Sequence, residues 1–397
     1  MPSFSLTTAT NLFKTNYFKL SENMYNSANV VLGRIKKSYS FTGNQGFVSV
    51  PLSFSGGVGS GTLPTANVAD YEDAIITAKK VYAVVSIDRE AIKASANDEG
   101  AFVRGLKEVV KKGVESYMRN FSRILWGSGD GSLGTATVVT GANPYVITFG
   151  TSTTTFKEAN FEENDYVNIE TGNTDPFEIT AVNPTLFQIT VNRISGSQVP
   201  VATDVVFMQG SENNDPNGFK QVLDATSSTL YTIPVARRWQ ASVQTAAGGA
   251  GITVDLLNEL MVTTERKFGK APSMLPVSYT QYRKILNLLE DQKRYEISPR
   301  YGSEDFKASV SFKGVEFMSS RGPVGIFPER FIDEPRVYGI NEDFVEIYHR
   351  PGFGWFDDDG TVFLRGASTD DYSARYGGYM QNYIPPTPHG VITGLAT

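Results

Sequence analysis

The chain has 397 residues, 40% hydrophobic and 20% charged, with a formal net charge of −6. That composition suits a globular protein of two or three domains and shows no basic excess to mark a nucleic-acid binder. With no cysteine and only His349 and His389 as histidines, disulfides, thiolate nucleophiles, cysteine-ligated zinc and a three-histidine metal site are excluded.

The opening residues, Met1 to Tyr25, lack the basic start and continuous apolar core of a secretory signal, and no apolar run approaches the ~18 residues of a membrane span. Residues 1–37 are polar and aromatic with weak periodicity. They read as an extended arm with a short helix near "MYNSANVVLGRIKK". A terminus of this kind frays unless something holds it, so it is a disordered tail or an arm docked on a neighbour; the docked arm is the expectation. Two strand-like runs follow, "GFVSVPLSF" and "DAIITAKKVYAVVSI", the second with Val81, Ala83, Val85 and Ile87 on one face. The Gly- and Pro-rich stretch between them predicts a long two-stranded excursion with a flexible tip. An isolated two-stranded ribbon is marginal in water, so this one is expected to lie on another chain.

The spacing predicts a long helix over 97–126. Phe102, Val103, Leu106, Val109, Val110, Val114, Tyr117, Phe121, Ile124 and Leu125 form its apolar stripe. Asn97 or Asp98 caps it, and at about 1.5 Å per residue it is on the order of 42 Å long. Gly105 and Gly113 predict close approach of another backbone. Lys107, Lys111, Lys112, Glu115, Arg119 and Arg123 are expected on a solvated face rather than a nucleic-acid stripe.

The glycine-rich stretch "WGSGDGSLG", Trp126 to Gly134, invites a phosphate-loop reading. A phosphate loop precedes a helix, whose N-terminal amides face the anion. This stretch follows a helix, where the dipole repels phosphate, and it carries no lysine. Gly127 is expected to close the helix in a left-handed conformation, and Asp130-Gly131 to turn the chain. Gly57, Gly59 and Gly61 precede no helix, and no G-x-S-x-G elbow exists. No catalytic, cofactor-binding or metal-binding residue is therefore assigned, and no enzyme is expected.

Residues 135–210 turn rich in Thr, Val and Asn, with strands expected at "YVITF", "DYVNIE", "PFEITAV", "LFQITV" and "DVVFM". Their roughly ten-residue spacing is that of a small all-β module. The acidic cluster Glu162, Glu163 and Asp165 reads as a solvated turn. From Asp215 the pattern is mixed. One helix runs from the capping Thr253 to Gly269. Another starts at Ser278, which has capping-box spacing to Gln281, and shows Tyr282, Ile285, Leu286 and Leu289 on its apolar face. "SMLPV" between them suits a short buried strand. "GVEFMSS", "RVYGI", "DFVEIYH" and "TVFLRG" read as strands, and "FDDDG" as a hairpin turn whose adjacent aspartates lack calcium-loop spacing.

This order of arm, β excursion, long helix, glycine turn, α/β region and late strands resembles the major capsid proteins of tailed bacteriophages, the Hong Kong 97-type fold, over nearly the whole chain. "AKKVYAVVSIDREAIKAS", Ala78 to Ser95, looks like that family's strand leaving the extended loop, and Ala101 to Trp126 like its spine helix. Gly127, Gly129 and Gly131 match the first half of a family turn motif. Pro216, Gly218 and Phe219 match the second half, so a β-rich module looks inserted within it. "YMQNYIPPTPHGVITGL" resembles the closing strand.

The resemblance implies an α+β Hong Kong 97-type capsid fold with a small all-β insertion domain. Its parts would be an N-terminal arm (1–37), an extended β-loop or E-loop (38–87), a peripheral domain with the spine helix (88–134 and 315–397), the insertion (135–210) and an α/β axial domain (211–345). The implied function is that of a major capsid protein whose hexamers and pentamers form an icosahedral shell around double-stranded DNA, held by non-specific contact. Scaffolding, portal and decoration proteins are implied partners. The implied place is the virion, assembled in the host bacterial cytoplasm, with no membrane and no cofactor. A coiled-coil scaffolding region is missing, so a separate scaffolding protein or a cleaved segment is implied. Lys79 and Lys80 lie on the loop's return strand, but nothing ties them to an asparagine, so crosslinking is not carried over. The alternatives are an encapsulin-like compartment shell of the same fold with protein cargo, a β-rich adhesive or fibre protein, and an enzyme with an unrecognised site.

Overall fold

The computed structural model describes residues 30–38, 43–53, 61, 70–88, 99–150, 155–224, 228–236, 238–291, 315–319, 322–356, 360, 362, 364–365 and 371–397. A short helix α1 (Val30–Arg34) leads into β1 (Lys36–Ser38). β2 (Gln45–Ser53) and β3 (Asp70–Thr77) pair antiparallel as a ribbon. β4 (Lys79–Asp88) follows after a single residue. The run 73–87, expected as one strand, is therefore two. The Ala78 N–H donates to Asn44 O at 3.1 Å, closing the ribbon, and the chain then joins a different sheet.

The long helix α2 spans Glu99–Trp126. Its Asn97 and Asp98 caps lie outside the described residues, as do the side chains from Phe102 to Val110 and position 105. Over the remaining turns Val114, Tyr117, Met118, Phe121, Ile124, Leu125 and Trp126 are buried, the stripe that the 3.6-residue period dictates. This stripe lies on β4. Val81 and Val85 face it, and a Cβ at Gly113 would come within 2.5 Å of Val85 Cγ2. The close neighbour at Gly113 is thus a side chain rather than a backbone.

Seven strands follow, β5 (Ser132–Thr135), β6 (Val138–Gly141), β7 (Tyr145–Thr148), β8 (Tyr166–Ile169), β9 (Phe177–Asn183), β10 (Gln188–Arg193) and β11 (Val205–Met208). They pair in the order β5-β11-β8-β9-β10-β7-β6, antiparallel wherever strands meet. The two ends of this path, β5 and β6, are consecutive in the chain. Between them Ala136 bonds Asp204 and Thr203 on one side, while Thr137 bonds Thr148 on the other. One bent strand therefore closes the sheet into a small barrel, which leaves it no free edge. Phe149, Phe156, Phe161, Val167, Ile169, Phe177, Ile179, Ile189, Val191 and Val206 fill its own core.

The remaining elements are α3 (Phe219–Leu223), β12 (Thr229–Leu230), β13 (Ile233–Pro234), β14 (Ser242–Thr245), α4 (Val254–Phe268), β15 (Met274–Val277), α5 (Tyr279–Asp291), β16 (Val315–Ser319), β17 (Gly322–Pro328), β18 (Val337–Gly339), β19 (Glu346–Trp355), β20 (Leu364–Arg365), β21 (Asp371–Tyr383) and β22 (Gly390–Thr393). Thr253 caps α4 by accepting from Leu256 N, and left-handed Gly269 ends it. At α5 the capping box is half made. Ser278 Oγ accepts from Gln281 N, but the Gln281 amide donates instead to Glu334 O and Ala396 O, tying down the C-terminus.

Two further sheets organise this part. A six-stranded sheet runs β14-β22-β18-β15-β17-β16. Its strands alternate by the period of two. Leu275, Val337 and Ile392 face α4 and α5, whereas Met274, Tyr338 and Val391 face α2 and the main core. In the five-stranded sheet the long β21 is central, with β4 along one side and β19 and β20 along the other.

Candidate assembly interface

Residues 30–38 are held by parts of the body some 300 positions away. Val31, Leu32 and Ile35 are buried, and β1 adds a parallel strand to β19. Three acidic residues line the track: Glu329 Oε1 accepts from Val31 N at 3.1 Å, Arg34 pairs with Glu342 at 3.5 Å, and Lys36 with Glu346 at 2.6 Å. Burial pushes the Glu329 carboxyl up to about 7, against the pull of the Val31 N–H. The rest of the expected arm, residues 1–29, lies outside the described residues.

The ribbon is two-faced. Ala74 and Ile76 are buried in the body's own core, with Val48, Val50 and Leu52 packed against it, and Ile75 N donates to Tyr231 O at 3.0 Å. The inner face thus packs within the chain, where sequence reasoning expected the ribbon to lie on another. The outer face is different: Phe47 is 65% exposed and Tyr71 56% exposed. The five-stranded sheet likewise has one covered face. α2 lies over Val81 and Val85, while Val84 on the other face is 64% exposed beside a Tyr82–Phe356–Tyr379 aromatic row. α2 therefore covers one face of this sheet, and the other face exposes Val84 beside aromatic rings, an apolar surface of the kind that a partner covers.

The glycine stretch after α2 meets the residues that follow the barrel. Asn213 N donates to Asp130 O and Gln221 N to Gly127 O. Gly129 and Gly131 take positive φ values, 77° and 80°, and added Cβ atoms there would overlap Gln221 and Ser211. Gly218 in turn lies against the Gly127 backbone. Gly127 itself is not left-handed, contrary to expectation. The helix ends in a tightened turn, its N–H bonding Ile124 O at 3.0 Å, and the left-handed residues come two and four positions later. The stretch holds the segment that leaves α2 against the segment that leaves the barrel.

Charged residues clamp the same junction. Arg123, 6% exposed, pairs with Asp215, 7% exposed, at 2.9 Å and reaches Ser211. Arg119 pairs with Glu162 and with Asp165. The solvated face expected for these arginines is thus corrected, and so is the solvated turn at Asp165, because the barrel packs on that side of α2; Glu162 and Glu163 remain exposed as expected. Further on, Lys157 and Lys220 both pair with Asp333, and Arg336 bridges Asp333 and Asp224. Burial pushes Lys157 down despite the pull of Asp333. Burial alone would raise Asp333, but Lys157 and Lys220 hold it well below the usual carboxylate range. Apart from Asp333 and Arg336, three positions apart, these partners lie far apart in sequence, where no local spacing announces them.

Both histidines, His349 and His389, are buried. Burial pushes His389 down to about 3, so it is neutral, and its Nδ1 accepts from Asn341 N at 3.1 Å. Among the described residues no group of His, Asp and Glu could hold a metal, and no helix is long and apolar enough to cross a membrane. Asp357 to Asp359 lie outside the described residues. Lys79 donates to Asn213 O and Lys80 lies over the Tyr379 ring.

No protein-family model matches the sequence, and no curated protein does. Among solved structures, the capsid asymmetric unit of cyanophage A-1(L) is similar, with a TM-score of 0.52 at 9% identity over 92% of this chain and 91% of that one. The capsid of a native GTA particle gives 0.46 at 9% identity over 92% and 90%. The holo-SrpI encapsulin complex of Synechococcus elongatus PCC 7942 gives 0.45 at 8% identity over 91% and 85%. The cyanophage likeness fixes the class of fold: the chain has the fold of a phage capsid subunit, the Hong Kong 97 type that its sequence resembles.

Proposed function

We propose that this chain is the major capsid protein of a tailed bacteriophage and self-assembles, through hexamers and pentamers, into a closed icosahedral shell around double-stranded DNA. The observation that carries the reading is the likeness to the cyanophage capsid subunit across nine tenths of both chains. The outward Phe47, Tyr71 and Val84 support it, since such surfaces are covered in an assembly of identical copies. In this reading 1–37 is the arm, 38–87 the E-loop, 88–134 with 315–397 the peripheral domain, and 211–345 the axial domain. Residues 135–210 are an insertion domain, a role supported by the closed barrel and by the contact between the chain segments that enter and leave it. Scaffolding, portal and decoration proteins would be its partners, and the host cytoplasm its place of assembly.

Electron microscopy of the full chain, expressed with a scaffolding protein supplied, tests this. Closed shells of uniform size are expected; only monomers or small oligomers would overturn the reading. Nuclease-protected double-stranded DNA inside particles from infected cells marks a virion shell. A folded protein cargo would mark an encapsulin-like compartment instead.

A further inference from the structure

A closed barrel offers no sheet edge, so whatever meets it must meet its loops or outward side chains. One loop stands out. Residues 194–204, "ISGSQVPVATD", join β10 to β11 and carry no charge before Asp204. Their backbone is fixed from within the chain. Asp175 Oδ2 accepts from Ser197 N at 2.8 Å and from Gln198 N at 2.9 Å. Arg193 donates to Gln198 O at 2.7 Å, and Asp204 accepts from Val201 N at 2.8 Å. Gly196, at φ 90°, passes so close to the Asp175 carboxylate that any side chain would collide with it. The loop so pinned presents Ile194, Val199 and Val201 to solvent, at 52%, 56% and 55% exposure. The barrel core is complete without them. Scattered exposed apolar residues are ordinary. Three on one uncharged loop, its backbone already ordered by its own chain, make a preorganised contact surface.

We propose that residues 194–203 pack against a second copy of this chain in the assembled shell, an inference that rests on the shell reading above. Size and charge choose the occupant. Three half-exposed side chains offer far less than the ~800 Å² per partner that a stable free complex buries, so a freely diffusing partner would not stay bound by them. A copy already fixed nearby by the rest of the shell meets the loop at high effective concentration, where a small apolar contact is sufficient. The loop also carries nothing to pair with a charged partner.

The chain has no cysteine, so V199C introduces a unique thiol at the loop. In unassembled subunits that thiol should react freely with a maleimide. In shells of this chain purified free of other proteins the reaction should slow by at least about tenfold as solvent access is lost. A photo-crosslinker on the same thiol should join residue 199 to another copy in shells and not in free subunits. Equal labelling in shells and subunits, or crosslinks confined to one copy or to a different protein, would overturn the proposal. If V199C does not assemble where the unmodified chain does, S195C carries the same probe on the same loop. Shells that form with the loop fully labelled defeat this inference alone. Absence of shells from the unmodified chain defeats it together with the shell reading.

Discussion

The barrel and the ribbon are both β structure, yet they reach their order by opposite routes. The barrel closes its hydrogen bonds on itself and buries Phe177, Ile189, Val191 and their neighbours among its own strands. The ribbon has two strands, leans one face on the body through Ala74 and Ile76, and leaves Phe47 and Tyr71 outside. A closed small sheet is self-sufficient, whereas a two-stranded one borrows a surface. On the shell function proposed above, the contrast assigns the barrel to folding and the ribbon's outer face to assembly.

Breaking the barrel should therefore cost most. Phe177→Ala empties a fully buried ring site, and a loss of about 3–5 kcal/mol is expected in denaturant unfolding of the free subunit. A loss under about 1 kcal/mol would mean that the barrel core is not close-packed. Next comes the clamp between barrel and α2. Arg123→Ala leaves Asp215 buried without its partner and should cost about 3 kcal/mol. The double variant with Asp215→Asn should recover part of that loss; no recovery would remove the ion pair as its cause.

The docked segment 30–38 gives a pH test. Glu329 has its folded value raised to about 7 from an ordinary 4.5. Its contribution is thus fully present below pH 4.5 and is lost as pH rises through 7. Glu329→Gln stays neutral, so at pH 8 it should be more stable than the unmodified chain by about 3 kcal/mol, with little difference at pH 4.5. Equal pH profiles would contradict a buried Glu329. The smallest effect on the subunit is expected at the ribbon's outer face. The pair Phe47→Ser and Tyr71→Ser should alter subunit stability by no more than about 0.5 kcal/mol, yet lower the yield of shells. Unaltered assembly would deny that face a role.

Much of this was legible in the chain. The apolar stripe of α2 from Val114 to Leu125, the five barrel strands from Tyr145 to Met208 and the Thr253 cap follow from local periodicity and capping chemistry. What escaped is non-local. β21, the central strand of its sheet, contains Arg375, Gly377, Gly378 and Gln381 and shows no clean alternation. It is a strand because β4 and β19 pair along its two sides. β5 was missed for the same reason, since its partner β11 lies some 70 residues along the chain, whereas β6, a short and largely exposed strand, pairs locally with β7. Of the candidate interface, the ribbon was visible as two alternating runs, but the split at Ala78 was not. Arg119 and Arg123 read as solvated because a helix-surface arginine looks the same in sequence whether water or a carboxylate faces it. Glu329 gave no signal at all, and the distant partners of Asp333 and Arg336, Lys157, Lys220 and Asp224, are set by tertiary packing.

Amide hydrogen exchange, compared between free subunits and purified shells, tests the contrast most directly. Protection in 45–53 and 70–77 should rise sharply on assembly, while the barrel strands between 145 and 208 should be protected already in the free subunit and change little. A ribbon as protected in the free subunit as in the shell, or a barrel that gains its protection only on assembly, would contradict the account.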